Sequence, residues 1–305
     1  MNESKPTVSI LVVSYNVREL LAACLRSVQQ KTTGIAYEVI VVDSNSNDGT
    51  VEFLRAHFSW VNVIPCNENV GFPKGNNIAY DASHGEFIFM LNPDTELTTN
   101  VVKQLHDFLT LHGNAGLVGP KMLNTDGSLQ RSAQPFITED EIIAEVFYLH
   151  QMLWKQRSYF KHEITAPLEV EALSGAAMMC KRSLIKQIGF LDDNLFWTED
   201  MDFCFRAHQA GFKNFYLPDA VLTHHVGQSG KKNQAVMISR QLLTKINFFK
   251  KHRGKFSTSV VATARFAHIV SRLMMFAAAY PFGERFRDKF KAYRFTLNSF
   301  LNRRY

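Results

Sequence analysis

VSILVVSYN (8–16) and YEVIVVDSN (37–45) decide the fold. Each is a short, nearly continuous apolar run rich in Val and Ile that breaks off in Ser, Asn or Asp. That is the pattern of a strand buried on both faces of a parallel sheet. Between them, Val17–Gln30 carries apolar residues at helical spacing. WVNVIPC (60–66), FIFMLNPD (87–94) and GLVGP (116–120) repeat the strand pattern, and Thr98–His112 repeats the helix. Strand–helix–strand alternation predicts a doubly wound α/β sheet, in which ligands sit beyond the carboxyl ends of the strands. The pattern loosens from Asn124 to Glu169, a Phe-, Tyr- and His-containing stretch that reads as an inserted lid or acceptor loop. It resumes at VEALSGAAMMCKR (170–182) and runs to about Ala220.

The 305 residues are 46% hydrophobic and 20% charged, which excludes a disordered or fibrous chain. Cys24, Cys66, Cys180 and Cys204 form no C-x-x-C pair, so neither a disulfide scaffold nor a thiolate zinc site is expected. Reduced thiols and an N-terminus without an export pattern predict a cytoplasmic chain. The net charge of +6 is unevenly spread. Residues 1–230 carry 17 Lys and Arg against 26 Asp and Glu, whereas 231–305 carry 17 against only Glu284 and Asp288. The expected division is a catalytic domain over 1–230 and a basic helical extension over 231–305.

In that extension Gln241–Lys251 reads as an amphipathic helix with a basic end, and Phe256–Phe282 as an apolar one. Arg265, His268 and Arg272 interrupt the second at spacings that share one helical face. Its uncharged runs fall short of the roughly 20 residues a membrane span needs. The expectation is a helix lying in the membrane interface with that basic face toward the headgroups, followed by a cationic tail over 284–305. The alternative is a helix packed on the body with Arg and His solvated. The acidic body and the lack of a recognisable nucleic-acid module predict no nucleic acid, leaving an anionic membrane surface as partner. The apolar segment would serve a homodimer equally well.

The strand ends supply the candidate chemistry. The first strand ends in Ser14-Tyr15-Asn16, and the second opens an Asp43–Thr50 run whose carboxylate suits a nucleoside, though the same residues are ordinary turn formers. No G-x-G-x-x-G follows the first strand, which weakens a dehydrogenase reading. Asn67–Asn77 places two glycines and Lys74 ahead of a helix, where backbone and charge can meet a phosphate. FIFMLNPDTEL delivers Asp94 into a turn, as a ligand for a hard cation or as a helix cap. Glu199, Asp200 and Asp202 open a helix that ends before Gly211, with Asp202 and Arg206 at pairing distance. Phe196 and Trp197 beside Glu199 and Asp200 suit a carboxyl with raised pKa, a general base. His224 and His225 follow a strand, an arrangement that generally yields one ligand and one bystander.

VVSYN, VVDSNSNDGT, NENVGFPKGNN, LNPDTEL, LSGAAMM, GFLDDNLFWTEDMDFCFRAHQAG and HHVGQSG, in that order, resemble the family 2 inverting glycosyltransferases of GT-A fold, in particular rhamnosyltransferase-like bacterial members. The resemblance spans roughly residues 8–230. It implies that Tyr15, Asn16 and Asp43 hold the nucleoside of a nucleotide sugar, and that Gly71, Phe72, Lys74 and Asn77 line the nucleotide pocket. Asp94 matches the last acid of a D-x-D motif binding Mg²⁺ or Mn²⁺, and His224, in an H-x-x-G-x-S pattern, a second metal ligand. Asp200 matches the general base, with Glu199 beside it placing the acceptor. Asn92 stands where many relatives carry the first acid, which leaves fewer negative ligands.

The implied activity moves a sugar, rhamnose by resemblance, from a nucleoside diphosphate sugar to a glycan or polyprenyl-linked hydroxyl. It would do so in cell-surface polysaccharide or lipopolysaccharide synthesis at the inner face of the cell membrane. A nucleotidyltransferase would need a Gly-rich basic loop after the first strand, and VVSYNVRELL has none. A catalytically inactive sugar-nucleotide-binding relative fits poorly with Asp94, Asp200 and His224 present together.

Overall fold

The Val- and Ile-rich runs pair side by side. The computed structural model describes residues 5–149, 151–152, 157–225 and 234–302. The strands are β1 (Val8–Ser14), β2 (Tyr37–Asp43), β3 (Asn62–Pro65), β4 (Phe87–Leu91), β5 (Thr95–Leu97), β6 (Ala115–Leu123), β7 (Leu129–Gln130), β8 (Ala133–Gln134), β9 (Leu168–Val170), β10 (Ala172–Leu173), β11 (Ala177–Lys181) and β12 (Lys213–His224). The helices are α1 (Arg18–Lys31), α2 (Thr50–His57), α3 (Gly71–Asp81), α4 (Val101–Leu111), α5 (Glu139–Val146), α6 (Arg182–Ile188), α7 (Glu199–Gln209), α8 (Gln234–His252), α9 (Gly254–Ala278) and α10 (Glu284–Leu301).

The chain divides into two compact units, the first made of Met1–Pro135, Tyr159–Asp192 and Glu199–Ser229. Its main sheet runs β3-β2-β1-β4-β11-β6-β12-β5, with β7 on β6 and β9 on β12. β3, β2, β1 and β4 are parallel, so Ser14 and Asp43 end side by side. β11 enters antiparallel between β4 and β6, and β5 runs antiparallel to β12. The sheet is therefore mixed, and the GLVGP segment sits in a longer strand with neighbours of both directions. β3, read as buried, is an edge strand whose Asn62 and Pro65 are exposed. The core is filled by strand residues such as Ile10, Val12, Val41 and Phe89, against Leu21 and Leu25 of α1 and Leu105 and Leu109 of α4. α3 lies so close to β1 that a side chain on Gly75 would meet Val13 at 2.7 Å.

The second unit is made of Phe136–Ser158, Asp193–Thr198 and Gly230–Tyr305. Part of the segment read as an inserted loop thus folds with the C-terminal helices. Thr138 and Glu141 form a reciprocal capping box at the start of α5. The amphipathic and the apolar helix expected here both form, α8 beginning earlier, at Gln234, and α9 shifted to Gly254–Ala278, ending before Phe282. By length and composition α9 is long and apolar enough to cross a membrane. The expected outward basic face is overturned: Arg265, His268 and Arg272 are buried. The reason is electrostatic. Glu145 of α5 accepts a hydrogen bond from Arg265 and, at 2.9 Å, one from Lys245, while its backbone carbonyl takes Arg272 Nη2 at 3.0 Å. A half-buried carboxylate draws the cations inward.

Candidate active site

The first cluster lies where β1 and β2 end. Asn16 adopts a left-handed backbone (φ 53°) that Asn tolerates. Its N–H donates to Ser46 Oγ at 2.9 Å, and its Oδ1 accepts from the Asn47 N–H at 2.8 Å. Asp43 is buried, and its Oδ2 accepts from the Ser46 N–H at 2.8 Å. Its Oδ1, with Ser14 Oγ and Ser44 Oγ, has no partner among the described residues. Three buried polar atoms with unused hydrogen-bonding capacity thus gather at neighbouring strand ends. Tyr15 beside them is exposed. Asp48 anchors the next turn by accepting from the Arg18 N–H at 3.1 Å and the Thr50 hydroxyl at 2.5 Å. Burial works to raise its carboxyl, but those donors win and hold it below the ordinary range.

The second segment starts α3. Gly71 has φ 75°, a conformation open to glycine, and its N–H donates to Asn69 Oδ1 at 3.0 Å. Lys74, about half exposed, stands 3.6 Å from Glu68, a solvent-screened pair. Asn77 Nδ2 donates to Leu191 O at 2.9 Å, tying α3 to the chain ahead of α7. Phe72 lies beside Gly175 and Asp200.

The third group joins Asp94 to His224. Antiparallel pairing of β5 with β12 sets His224 opposite Thr95, which brings His224 Nε2 to 3.2 Å from Asp94 Oδ1, both nearly buried. His224 Nδ1 lies 2.7 Å from Gln130 Oε1, and Gln130 Nε2 donates to Asn124 Oδ1 at 2.8 Å. With Nδ1 donating to Gln130 Oε1, Nε2 is the nitrogen that faces the Asp94 carboxylate. One imidazole nitrogen facing one carboxylate oxygen is a donor set that fits a divalent cation. Among the described residues no group of three metal-ligating side chains gathers, and Asn92 supplies no acid. His225 belongs to a separate pairing, 2.8 Å from Glu96 Oε1 and 3.1 Å from Thr125 Oγ1. Gly227 and Ser229 of the H-x-x-G-x-S pattern lie outside the described residues.

Asp200 is held a few residues from that turn. The Asn92 N–H donates to Ala176 O at 2.8 Å, so the 174–177 loop runs along the Asn92–Asp94 turn. From the same loop the Gly175 N–H donates to Asp200 Oδ2 at 2.9 Å, and the Met201 N–H reaches Oδ1 at 2.7 Å. Burial raises the Asp200 carboxyl above the usual value despite these donors. A desolvated, oriented carboxyl of raised pKa is equipped to accept a proton. Glu199 beside it is buried, Asp200 itself half-buried. Asp202 and Arg206 pair at 2.8 Å, and the same guanidinium caps Ile188 and Phe190 carbonyls, so this acid is structural. Sequence reasoning assigns no role to Gly175 or Gln130; a backbone N–H and an amide in an aperiodic segment leave no signature by residue type.

Residues 9–189 match the family described as Glycosyl transferase family 2. The chain is 25% identical over 263 residues to an N-acetylglucosaminyl-diphospho-decaprenol L-rhamnosyltransferase of Mycobacterium tuberculosis, covering 80% of this chain and 85% of that one. It is 27% identical over 209 residues to the low-salt glycan biosynthesis hexosyltransferase Agl10 of Haloferax volcanii, covering 66% and 61%. In fold it is similar to the mannosyltransferase PcManGT of Pyrobaculum calidifontis, solved with GDP-Man and Mn²⁺. The TM-score is 0.57 at 17% identity, over 97% of this chain and 86% of that one.

Proposed function

The chain belongs to glycosyl transferase family 2, an inverting family, and on that premise we propose that it transfers a sugar from a nucleoside diphosphate donor to a hydroxyl of a lipid-linked or polysaccharide acceptor. The observation that carries the reading is Asp200, half-buried, raised in pKa by desolvation and aimed by the Gly175 and Met201 N–H groups. Asp200 takes the proton of the acceptor hydroxyl as that oxygen attacks the anomeric carbon. The bond to the diphosphate breaks on the opposite face, so the configuration inverts in one displacement. Glu199 places the acceptor. Tyr15, Asn16 and Asp43 hold the nucleoside, and Gly71, Phe72, Lys74 and Asn77 line the rest of the donor pocket. Asp94 and His224 would hold Mg²⁺ or Mn²⁺, which supplies charge stabilisation to the leaving diphosphate. With Asn92 neutral, that ion is expected to bind modestly.

A polyprenyl-linked acceptor and a rhamnosyl donor are supported by the likeness to the decaprenol-dependent rhamnosyltransferase. Such an acceptor calls for an enzyme peripheral to the cytoplasmic face of the membrane. The test is Asp200→Asn, assayed for transfer and, by calorimetry, for binding of dTDP, UDP and GDP with and without Mn²⁺. Transfer should fall by about 10²–10⁴-fold with nucleotide affinity retained. Near-normal turnover would overturn the base, and a wild-type protein that binds none of the nucleotides would overturn the donor reading.

A further inference from the structure

Among the apolar residues that the second unit leaves in water, two groups come from distant stretches of sequence and meet. Phe147, Tyr148, Leu149 and Met152 follow α5, and Met274 and Met275 end α9; all six are exposed. The stretches touch: the Tyr148 hydroxyl donates to Met275 Sδ at 3.3 Å, and the Arg272 guanidinium stacks over the Tyr148 ring, 3.4 Å from its centroid. Tyr148 holds φ 61°, a backbone state an aromatic residue rarely adopts. Strain of that kind persists where the surroundings fix it, and here it sets an aromatic ring at the rim of an apolar patch. Phe282, 79% exposed, follows α9 in the next turn. α10 then adds exposed Arg285, Arg287, Lys291 and Arg294, against Glu284 and Asp288.

From this juxtaposition we propose that the surface joining Phe147, Tyr148, Leu149 and Met152 to residues 274–282 is a membrane-interface patch that inserts among the headgroups and upper acyl chains of an anionic bilayer. It rests on, and sharpens, the membrane-peripheral reading above. The surface pairs large apolar and amphipathic side chains with a strongly basic neighbouring helix, the composition of an interfacial anchor. Charge selects this occupant over a second copy of the chain, which would bring the same excess of Lys and Arg to the contact. The inward turn of Arg265, His268 and Arg272 has a direct consequence. The buried cations serve Glu145, and the lipid-facing chemistry is supplied by the exposed end of α9 with the cations of α10.

The experiment uses the full chain and flotation with phosphatidylcholine vesicles, with and without phosphatidylglycerol. Wild type should float only with the anionic vesicles and be released by alkaline carbonate. Leu149→Glu with Met274→Glu, both surface positions outside the donor and base clusters, should weaken flotation by about tenfold or more. Melting temperature and nucleoside diphosphate binding should stay at wild-type levels. Unchanged flotation of the double variant overturns the patch, and resistance of wild type to carbonate overturns it in favour of a spanning helix. A double variant that loses only a dimer, seen by light scattering, assigns the surface to a second copy and overturns it too. If flotation behaves as expected while no nucleotide binds, the patch stands and the glycosyl-transfer reading is what fails.

Discussion

Gly175 leaves little room for a side chain: a Cβ there would stand 3.2 Å from the Asp200 Cβ, which must give way by a few tenths of an ångström, and 3.4 Å from the Phe72 ring. Gly175→Ala should therefore displace the carboxylate it holds. The expected result is a roughly 10–100-fold fall in kcat with melting temperature nearly unchanged, since misplacing a reacting group costs rate more than stability. Asp200 also fixes the acid limb of the rate profile. Protonated, it can accept no proton, and burial raises its pKa, so kcat should begin to fall at a pH above the ordinary carboxylate value of 3.8. A kcat–pH profile with its acid limb at or below that value would show a solvated base instead. Gln130→Leu removes the acceptor for His224 Nδ1–H; Mn²⁺ affinity, measured by titration calorimetry, should drop about 10–100-fold. Asp94, His224 and Asp200 are visible in the sequence because each closes or opens a readable element. Gln130 is not, because it meets His224 across 94 residues of chain and nothing local marks that pairing.

Among the elements, the Val- and Ile-rich strands are legible and their directions only partly so. β5 is three residues long and exists because β12 pairs with it, so no periodicity announces it. The antiparallel entry of β11 between β4 and β6 is likewise a non-local choice that an apolar run cannot encode. In α9 the spacing of Arg265, His268 and Arg272 correctly puts them on one face, but spacing carries no information on which way that face turns. The partner that turns it, Glu145, lies in a segment read as a loop. The close seat of α3 on β1 gives an element-level test. Gly75→Ala would set a methyl 2.7 Å from Val13 Cγ1 and 2.8 Å from Cγ2, both on a buried strand. Overpacking of that kind should cost about 1–3 kcal/mol, read as a lower denaturant midpoint with unchanged slope.

Across the whole molecule, the basic C-terminal quarter raises the question of where its cations are stored, and part of the answer is inside the second unit. Burial raises the Glu145 carboxyl, but Lys245 and Arg265 overcome it and hold it at about 2. Burial together with Arg272 and Arg265 pushes His268 down to about 4. The signs agree. As pH falls from 6.5 to 4 the unfolded chain protonates His268 before the folded one does, and from 4.5 to 2 it protonates Glu145 first. In both windows the unfolded state binds more protons, so stability drops on acidification. The melting temperature should therefore decline already between pH 6.5 and 4, before ordinary carboxylates titrate in full. His268→Gln should flatten that part of the profile, and Glu145→Gln should lower stability at neutral pH by about 3–5 kcal/mol by leaving Lys245 and Arg265 without their counter-charge. A wild-type melting temperature constant from pH 6.5 to 4 would mean that His268 takes up its proton while folded, and that the cluster opens to water before the unit unfolds.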